Sequence, residues 1–323
     1  NSSIAEDTIT WPSQENCISM PGASIKSPQN KKQLKSNITA WADLGLNRYK
    51  PAAPTVNDIP SGFYDITYSD THGPHLRQRE IYSDELYELP SPEIRYVLDD
   101  IKTFWAKKDV YKKYDLLYKR GILLYGKPGT GKSGIIRLCI QHLVNDLNGI
   151  IINIPNADYI HAFQSMAPDI RTAAPNVPII VIMEDIDELT NEFHSSTTAL
   201  NLLDGAGQVD NVVYIATTNY PEKLQERITN RPGRFDIRLE VQPPNSEVRK
   251  KFIQAKLFEE DLNQINLDEW VQLTEGMTMA HVKELIISVI VMNKDFEDTY
   301  KRLTGLEKLP KITKFNSQKI GFK

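Results

Sequence analysis

The 323-residue chain is poor in cysteine, in net charge and in long apolar runs. It has two cysteines; Cys139 falls among apolar residues of a predicted helix, where a buried thiol is expected, and a reducing compartment fits. A net charge of −4 gives no global reason to expect a binder of nucleic acid or membrane surfaces. The longest apolar runs, such as IISVIVM, are far shorter than the roughly 20 residues that span a bilayer, and the acidic N-terminus lacks the layout of a secretory signal. We therefore expect a cytoplasmic location and no membrane partner.

Composition and hydrophobic spacing divide the chain into five segments. Residues 1–60 are rich in Ser, Asn, Pro and Thr, which predicts an extended, flexible arm; Trp11 and Trp41 are isolated anchors that would suit docking to a partner. Residues 61–90 alternate aromatic and polar side chains around a Gly-Pro turn, which predicts a small β element. The remaining segments are an α/β domain at 91–243, a helical domain at 244–305 and a basic tail at 306–323.

The α/β segment carries the pattern of a parallel sheet. A helix is predicted to begin at Ser91 and Pro92, and four apolar strand patterns alternate with helices after it: GILLYG, GIIINIP, VPIIVIMED and NVVYIATTN. Continuous apolar strands separated by helices are typical of a sheet covered on both faces. The predicted fold is thus α/β, with a sheet sandwiched by helices, a small helical lid and an irregular N-terminal extension. In the lid, Ser246 is predicted to cap one helix and Thr278 to begin another.

A phosphate-binding loop is predicted between the first of these strands and the helix after it. The segment GKPGTGKS fits the pattern G-x-x-x-x-G-K-[ST], in which glycines let backbone N–H groups converge on phosphates. Lys132 is expected to reach the β and γ phosphates, and the Ser133 hydroxyl to bind Mg²⁺. The predicted fold class is therefore that of a P-loop NTPase with ATP or ADP and Mg²⁺ as cofactors. The predicted nucleotide-binding residues are Gly126, Lys127, Pro128, Gly129, Thr130, Gly131, Lys132, Ser133 and Gly134.

Two adjacent carboxylates end the third strand pattern, where P-loop ATPases carry a metal-directing and then a water-activating acid. The usual order is Asp then Glu, and here Glu184 precedes Asp185. Position favours Glu184 for Mg²⁺ and Asp185 for the attacking water. An alternative places Asp185 on the metal with Asp187 or Glu188 as the base, and these last two would otherwise cap the next helix.

The motifs RGILLYGKPGTGKS, IIVIMEDIDEL, LNLLDG, IATTN and RPGRFD occur in the order of the AAA ATPases, and residues 91–290 resemble that family. The Glu-Asp order, LNLLDG and YKRGILLYG are most similar to the branch that contains the mitochondrial Rieske-protein translocase and related proteins encoded by tailed phages. We expect no membrane anchor like that of the translocase, so the resemblance implies a soluble relative.

The resemblance also implies roles for three further residues. Asn219 would be the sensor that holds the attacking water or the γ-phosphate, a task that suits a neutral hydrogen-bonding group. Arg231 and Arg234 match the arginine fingers that reach the nucleotide of a neighbouring subunit, which couples hydrolysis to assembly.

Two segments depart from the family's pattern. The central-pore motif of protein-unfolding members is not evident; Phe163, or else Tyr159, is a candidate for it, with ordinary helix packing as the alternative. In the lid, the segment that resembles the second sensor carries Ala280 and His281 in place of an arginine.

These observations lead to two functional hypotheses. The first is a homo-hexameric ATPase that remodels or translocates a protein. The second is a nucleotide-gated assembly, or a module associated with nucleic acid, in which the exchanged carboxylates make turnover slow. The basic C-terminal tail would suit contacts with phosphate backbones or an acidic partner, although a solvated tail is the simpler interpretation.

Overall fold

The structure is a computed structural model, and it describes only part of the chain. The backbone alone is described for residues 40–43 and 49–52. The other described residues are 56, 58–70, 73–80, 89–190, 199, 202, 203, 210–224 and 233–306. Trp11, Arg231 and the basic tail, on which predictions were made above, lie outside this set.

The central feature is a seven-stranded sheet. Its strands are β3 (Gly62–Ser69), β4 (Gly73–Arg79), β5 (Lys119–Tyr125), β6 (Ile150–Asn153), β7 (Ile179–Met183), β8 (Val212–Thr218) and β9 (Ile237–Glu240). They lie in the order β4-β3-β6-β7-β8-β5-β9. Six of the strands run parallel, and β4 alone pairs antiparallel, with β3 at one edge. This confirms the predicted mixed α/β fold with a parallel sheet.

The helices lie on both faces of the sheet and in a group at the C-terminal side. Those flanking the sheet are α1 (Pro92–Ala106), α2 (Lys108–Lys113), α3 (Lys132–Leu147), α4 (Asp158–Ala173) and α5 (Ile186–Leu189). A 3₁₀ turn spans Pro221–Lys223. The helices of the lid are α6 (Ser246–Lys256), α7 (Glu259–Leu262), α8 (Leu267–Leu273), α9 (Met279–Ile286), a π-helical turn (Ile287–Val291) and α10 (Phe296–Leu306).

Side chains alternate between two cores because successive strand residues point to opposite faces. Ile150 and Ile152 of β6 pack in one core with α4, whereas Ile151 packs in the other with α1 and α3. Cys139 of α3 lies in that second core, and burial raises the pKa of its thiol to about 12. A sheet buried on both faces explains why its strands read as continuous apolar runs.

The α1 helix and the lid begin at polar caps. Ser91 Oγ accepts a hydrogen bond from Ile94 N, and Pro92 occupies the first turn, as the sequence predicts. The predicted cap at Ser246 is wrong by one residue: Asn245 Oδ1 accepts from Val248 N at 2.9 Å, and Ser246 is the first helical residue. Thr278 caps α9 as predicted, and Val282, Leu285 and Ile286 fill the separate lid core.

Two β-hairpins occur in the N-terminal part of the chain. Strands β1 (Ala40–Asp43) and β2 (Tyr49–Ala52) form an antiparallel pair inside the segment for which no regular structure was expected. Strands β3 and β4 form the β element expected at 61–90. They extend the main sheet because β3 pairs with β6, with Phe63 opposite Ile151. The hairpin thus shares the core of the α/β domain.

Phe163 is a core residue in this structure. It lies on α4, its side chain is 1% exposed, and it belongs to the same core as Ile152 and Val181. Tyr159, the second pore candidate, is partly buried against that core. These positions favour the helix-packing interpretation of both residues. Separately, none of the helices within the described residues is long and apolar enough to cross a membrane.

Replacing Phe163 by alanine should lower the free energy of unfolding by about 3–5 kcal/mol, the usual cost of truncating a buried phenylalanine. Urea denaturation of the full chain measures this change. The control is Tyr68→Ala, at a side chain that is 62% exposed, for which a change within about 0.5 kcal/mol is expected. Equal stability of Phe163→Ala and the unsubstituted chain would contradict the core assignment.

Candidate nucleotide site

A cavity of about 640 Å³ lies between the carboxyl edge of the sheet and the helical lid. This is the size of a small-molecule site, and the carboxyl ends of parallel strands are where α/β proteins bind ligands. The P-loop residues 128–134 form one wall, and Glu184, Asp185, Thr217 and Asn219 lie at the strand ends. The lid and the linker before it contribute Val241, Gln242, Pro243, Pro244, Asn245, Val248, Phe252, Lys256, Met279, Ala280 and Lys283.

The P-loop joins β5 to α3 through glycines with positive φ. Gly131 precedes α3 with φ 115°, and Gly129 has φ 79°; both conformations are costly for residues with a Cβ atom. The loop brings the N-terminus of a 16-residue helix to the cavity, where the positive end of the helix dipole favours an anion. Thr130 Oγ1 donates to Lys127 O at 3.0 Å, which ties the loop to itself.

Lys132 is buried at the floor of the cavity. Its Nζ donates to Gly126 O at 2.8 Å, to Lys127 O at 3.0 Å and to Asn219 Oδ1 at 2.7 Å. Desolvation by burial lowers the pKa of this ammonium group below its usual range, and the charge of Asp185 partly offsets the effect. The P-loop lysine is therefore held beside the end of β8, which lies next to β5 in the sheet.

The exchanged carboxylates have different neighbours. Glu184 Oε2 accepts from Ser133 Oγ at 3.5 Å, so the two predicted Mg²⁺ ligands face each other. Asp185 Oδ1 accepts from Asn219 Nδ2 at 3.1 Å, and Asp185 N donates to Thr217 Oγ1 at 3.2 Å. Asp185 has φ 49°, the left-handed region that is uncommon for an aspartate and frequent at functional sites.

The other two carboxylates of this segment are absent from the cavity wall. Asp187 is 4% exposed and its Oδ1 accepts from Thr218 Oγ1 at 2.5 Å, which links α5 to β8. Glu188 is exposed but does not line the cavity. Of the four carboxylates raised by the sequence, Glu184 thus lies beside Ser133, the other predicted Mg²⁺ ligand, and Asp185 lies beside Asn219, the predicted sensor.

The segment after residue 232 is tied to the first strand of the P-loop unit. Asp236 Oδ2 accepts from Gly121 N at 2.8 Å, and Asp236 N donates to Gly121 O at 2.9 Å. A Cβ atom at Gly121 would lie 2.0 Å from Arg234 O, so only glycine allows this approach. Arg234 is 6% exposed in the isolated chain. Arg231 lies outside the described residues.

The lid contacts the P-loop through the first turn of α9. Ala280 N donates to Gly129 O at 3.1 Å, and a Cβ atom at Gly129 would lie 2.8 Å from Ala280 Cβ and 2.9 Å from Thr278 Oγ1. The segment that lacks the second-sensor arginine therefore touches the phosphate loop with its backbone. A small residue at 280 and a glycine at 129 make that approach sterically possible.

Several lining residues were not predicted from the sequence. Lys256 and Lys283 of the lid, the linker at 241–244 and the start of α1, including Ser91 and Glu93, all reach the cavity. The positions of these residues depend on how the lid and α1 pack against the sheet domain, which no motif encodes. The only available sequence signal was weak: Lys283 follows Ala280 by three residues, the spacing that puts two side chains on the same side of a helix.

We expect Gly129→Ala to lower the thermal unfolding midpoint without added nucleotide and to weaken ATP binding. The positive φ alone costs about 1–2 kcal/mol for alanine, and its Cβ would displace Ala280 and Thr278. Gly134→Ala is the control for stability, because nothing lies within 4 Å of its Cβ position and alanine favours helix by about 1 kcal/mol.

A double variant tests the overlap between a Cβ atom at position 129 and Ala280 Cβ. After the effect of Ala280→Gly alone is subtracted, the double variant Gly129→Ala/Ala280→Gly should have a higher thermal unfolding midpoint than Gly129→Ala. An unchanged midpoint for Gly129→Ala would contradict the close contact between lid and loop.

Comparison with known proteins agrees with this geometry. Residues 122–243 match the family model described as "ATPase family associated with various cellular activities (AAA)". The chain is 27% identical over 251 residues to the cell division cycle protein 48 homolog of Archaeoglobus fulgidus, which covers 73% of this chain and 31% of that protein. It is 28% identical over 294 residues to the ATP-dependent zinc metalloprotease FtsH 2 of a Thermoanaerobacter species, covering 83% and 53%.

A third relative matches over more of its own length. The 26S proteasome regulatory subunit 6B homolog of Encephalitozoon cuniculi is 25% identical over 317 residues, which cover 86% of this chain and 76% of that protein. The chain spans only about a third of the length of the Archaeoglobus protein and about half the length of the Thermoanaerobacter protein. The matched region begins in β5 and contains the P-loop, both carboxylates and Asn219. Residues 122–243 are therefore similar to an ATPase domain of the AAA family.

Proposed function

We propose that this chain hydrolyses ATP to ADP and phosphate, with Mg²⁺, in a homo-hexameric ring that remodels or translocates a protein substrate. One observation carries the catalytic part: two short contact chains, Ser133 to Glu184 and Lys132 through Asn219 to Asp185, meet on the wall of one cavity. They bring together groups that hold phosphate, a metal ion and a water molecule.

The residues present fit Mg²⁺ bound together with a nucleotide. Ser133 and Glu184 offer oxygen ligands, which Mg²⁺ prefers, and it is usually bound through one or two carboxylates plus substrate phosphates. Within the described part of the chain, no group of three or more His, Cys, Asp or Glu residues could hold a metal by itself. Bound Mg²⁺ would neutralise charge on the phosphate oxygens.

The remaining groups suit the transfer of the γ-phosphoryl group to water. Water oxygen forms a bond to phosphorus, the bond to the β-phosphate oxygen breaks, and Asp185 accepts the hydrogen bond and then the proton of the attacking water. Asn219, which contacts Asp185 and Lys132, positions that water or the γ-phosphate. When nucleotide binds, Lys132 must give up its hydrogen bonds to P-loop carbonyl oxygens and donate to phosphate oxygens instead.

The ring is proposed from Arg231 and Arg234, which match the family's arginine fingers. A finger supplied by the neighbouring subunit would make each site complete only after assembly. Arg234 is buried within one chain. Its guanidinium must therefore move to the surface when the ring forms, or Arg231 must act as the finger alone.

The protein substrate is proposed from the relatives. The names of two of them describe proteolytic machinery, a metalloprotease and a proteasome subunit. The order Glu184-Asp185, together with the segments LNLLDG and YKRGILLYG, is the basis for proposing that the chain is nearest the Rieske-protein translocase branch and its phage-encoded relatives. Because Phe163 is in the core, we do not assign it a role in threading unfolded polypeptide.

A second candidate is a nucleotide-gated assembly with slow turnover, which would include a module associated with nucleic acid. It is favoured by one specific observation: the acid beside Asn219 is an aspartate, one methylene shorter than the glutamate usual there. A shorter reach to the water would slow proton transfer while leaving nucleotide binding intact.

Asp185→Asn should reduce steady-state ATP hydrolysis by about 10²-fold to 10⁴-fold, the range for loss of a general base, with ATP affinity retained. Lys132→Ala should instead abolish ATP binding. Glu188→Gln is the matched control, an exposed carboxylate outside the cavity, and should hydrolyse ATP at the unsubstituted rate. Loss of hydrolysis in Glu188→Gln but not in Asp185→Asn would overturn the assignment of the base.

The same variants separate the two candidate functions. Tight ATP binding with no hydrolysis by the unsubstituted chain would favour the gated assembly. Recovery of a protein with ATP-loaded Asp185→Asn, but not with Lys132→Ala, would support remodelling. Hydrolysis stimulated by DNA or RNA, with binding that weakens as salt rises, would favour the nucleic-acid role.

Mixing two inactive variants should restore hydrolysis if the fingers act between subunits. Arg231→Ala/Arg234→Ala keeps an intact P-loop, and Lys132→Ala keeps intact fingers. Random assembly from equal amounts should complete about a quarter of the interfaces of a heterologous ring. Hydrolysis in the mixture that is no greater than in either variant alone would contradict fingers in trans, provided that sequential affinity purification on two different tags shows that the variants share rings.

A further inference from the structure

The cavity carries more positive charge than the P-loop alone supplies. Its lining includes four cationic side chains, Lys132, Arg137, Lys256 and Lys283, and three carboxylates, Glu93, Glu184 and Asp185. Two of the cations, Lys256 and Lys283, come from the lid. Lysines on a helical surface usually point into solvent, whereas these two line a nucleotide-sized cavity, which places positive charge on the lid side of it.

The geometry of α9 distinguishes Lys283 from the other cations. Residues three apart lie on the same side of a helix, so Lys283 stands one turn beyond Ala280 on the side that faces the P-loop. The opposite side of α9 is occupied, because Val282, Leu285 and Ile286 pack into the lid core. The Ala280 N to Gly129 O contact at 3.1 Å fixes the distance between this helix and the phosphate loop.

We propose that Lys283 binds the phosphate chain of the nucleotide from the lid side. The proposal rests on the function proposed above. A residue of four methylenes reaches from one turn further along the helix, whereas Ala280 leaves room for the backbones of lid and loop to touch.

This arrangement would couple nucleotide binding to the position of the lid. A phosphate held by Lys132 from the sheet and by Lys283 from the lid joins two units that have separate cores. A ligand stabilises the closed arrangement only by the contacts that it makes with both units. The charge on Lys283 would supply one such contact for nucleotides with a phosphate chain and not for adenosine.

Lys256 and Arg137 are the competing cations. Lys256 is the last residue of α6, and Arg137 lies on α3, one turn beyond Ser133. Lys256 lies on a different lid helix from Ala280, and Arg137 lies on the helix that begins within the P-loop itself. The effect of each on ATP affinity is therefore measured beside that of Lys283.

The test compares binding of Mg–ATP, Mg–ADP, AMP and adenosine by calorimetry, with the full chain and its Lys283→Met variant. Methionine keeps most of the side-chain volume and removes the charge. We expect ATP affinity to fall by about 10-fold to 100-fold, as for loss of one charge-assisted hydrogen bond, while adenosine affinity changes less than about twofold. Lys283→Arg should restore most of the ATP affinity.

The matched control is Lys251→Met, a lid lysine that lies 3.5 Å from Glu247 and does not line the cavity; its ATP affinity should be unchanged. Equal losses for ATP and adenosine in Lys283→Met, no loss at all, or the ATP-selective loss in Lys256→Met or Arg137→Met instead would overturn the inference alone. Failure of the unsubstituted chain to bind ATP would overturn the proposed function as well.

Discussion

The hydrogen bonds from Lys132 through Asn219 to Asp185 are the interaction on which the site depends. They join the ends of β5, β8 and β7, three strands that are neighbours in the sheet but are separated by long stretches of sequence. Parallel strands bring their carboxyl ends to one edge, so a lysine from one loop meets an amide and a carboxylate from two others. Because Lys132 is buried, these partners also meet the cost of removing an ammonium group from water.

The lid makes a cavity out of that edge. Without it, the strand ends and the P-loop would form an open surface; with it, the linker, α6 and α9 enclose a volume suited to a nucleotide. The contact between Gly129 and Ala280 depends first on residue size, because both residues are small enough for the two backbones to approach and form a hydrogen bond. The absence of a large residue at position 280 is therefore part of the design of the interface between lid and loop.

The parts of the site that lie within one local unit could be predicted from the sequence. GKPGTGKS required a strand before it and a helix after it, and both are present. Errors arose where packing decides. For Phe163 the sequence left both a pore role and helix packing open, and the packing of α4 places its side chain in the core. The cap at Asn245 was missed because Asn and Ser are adjacent and equally suited, and only the backbone conformation selects one.

By itself the sequence determined the alternation of strands and helices, the phosphate loop, and the chemical types of the groups at each strand end, because these are encoded in local periodicity and spacing. Tertiary structure decided which carboxylate faces Ser133 and which faces Asn219, and it withdrew Asp187 into a hydrogen bond with Thr218. It also decided that Arg234 is buried and that lid lysines line the cavity. The physical reason is that burial and charge proximity depend on the packing of distant segments, which local sequence does not record.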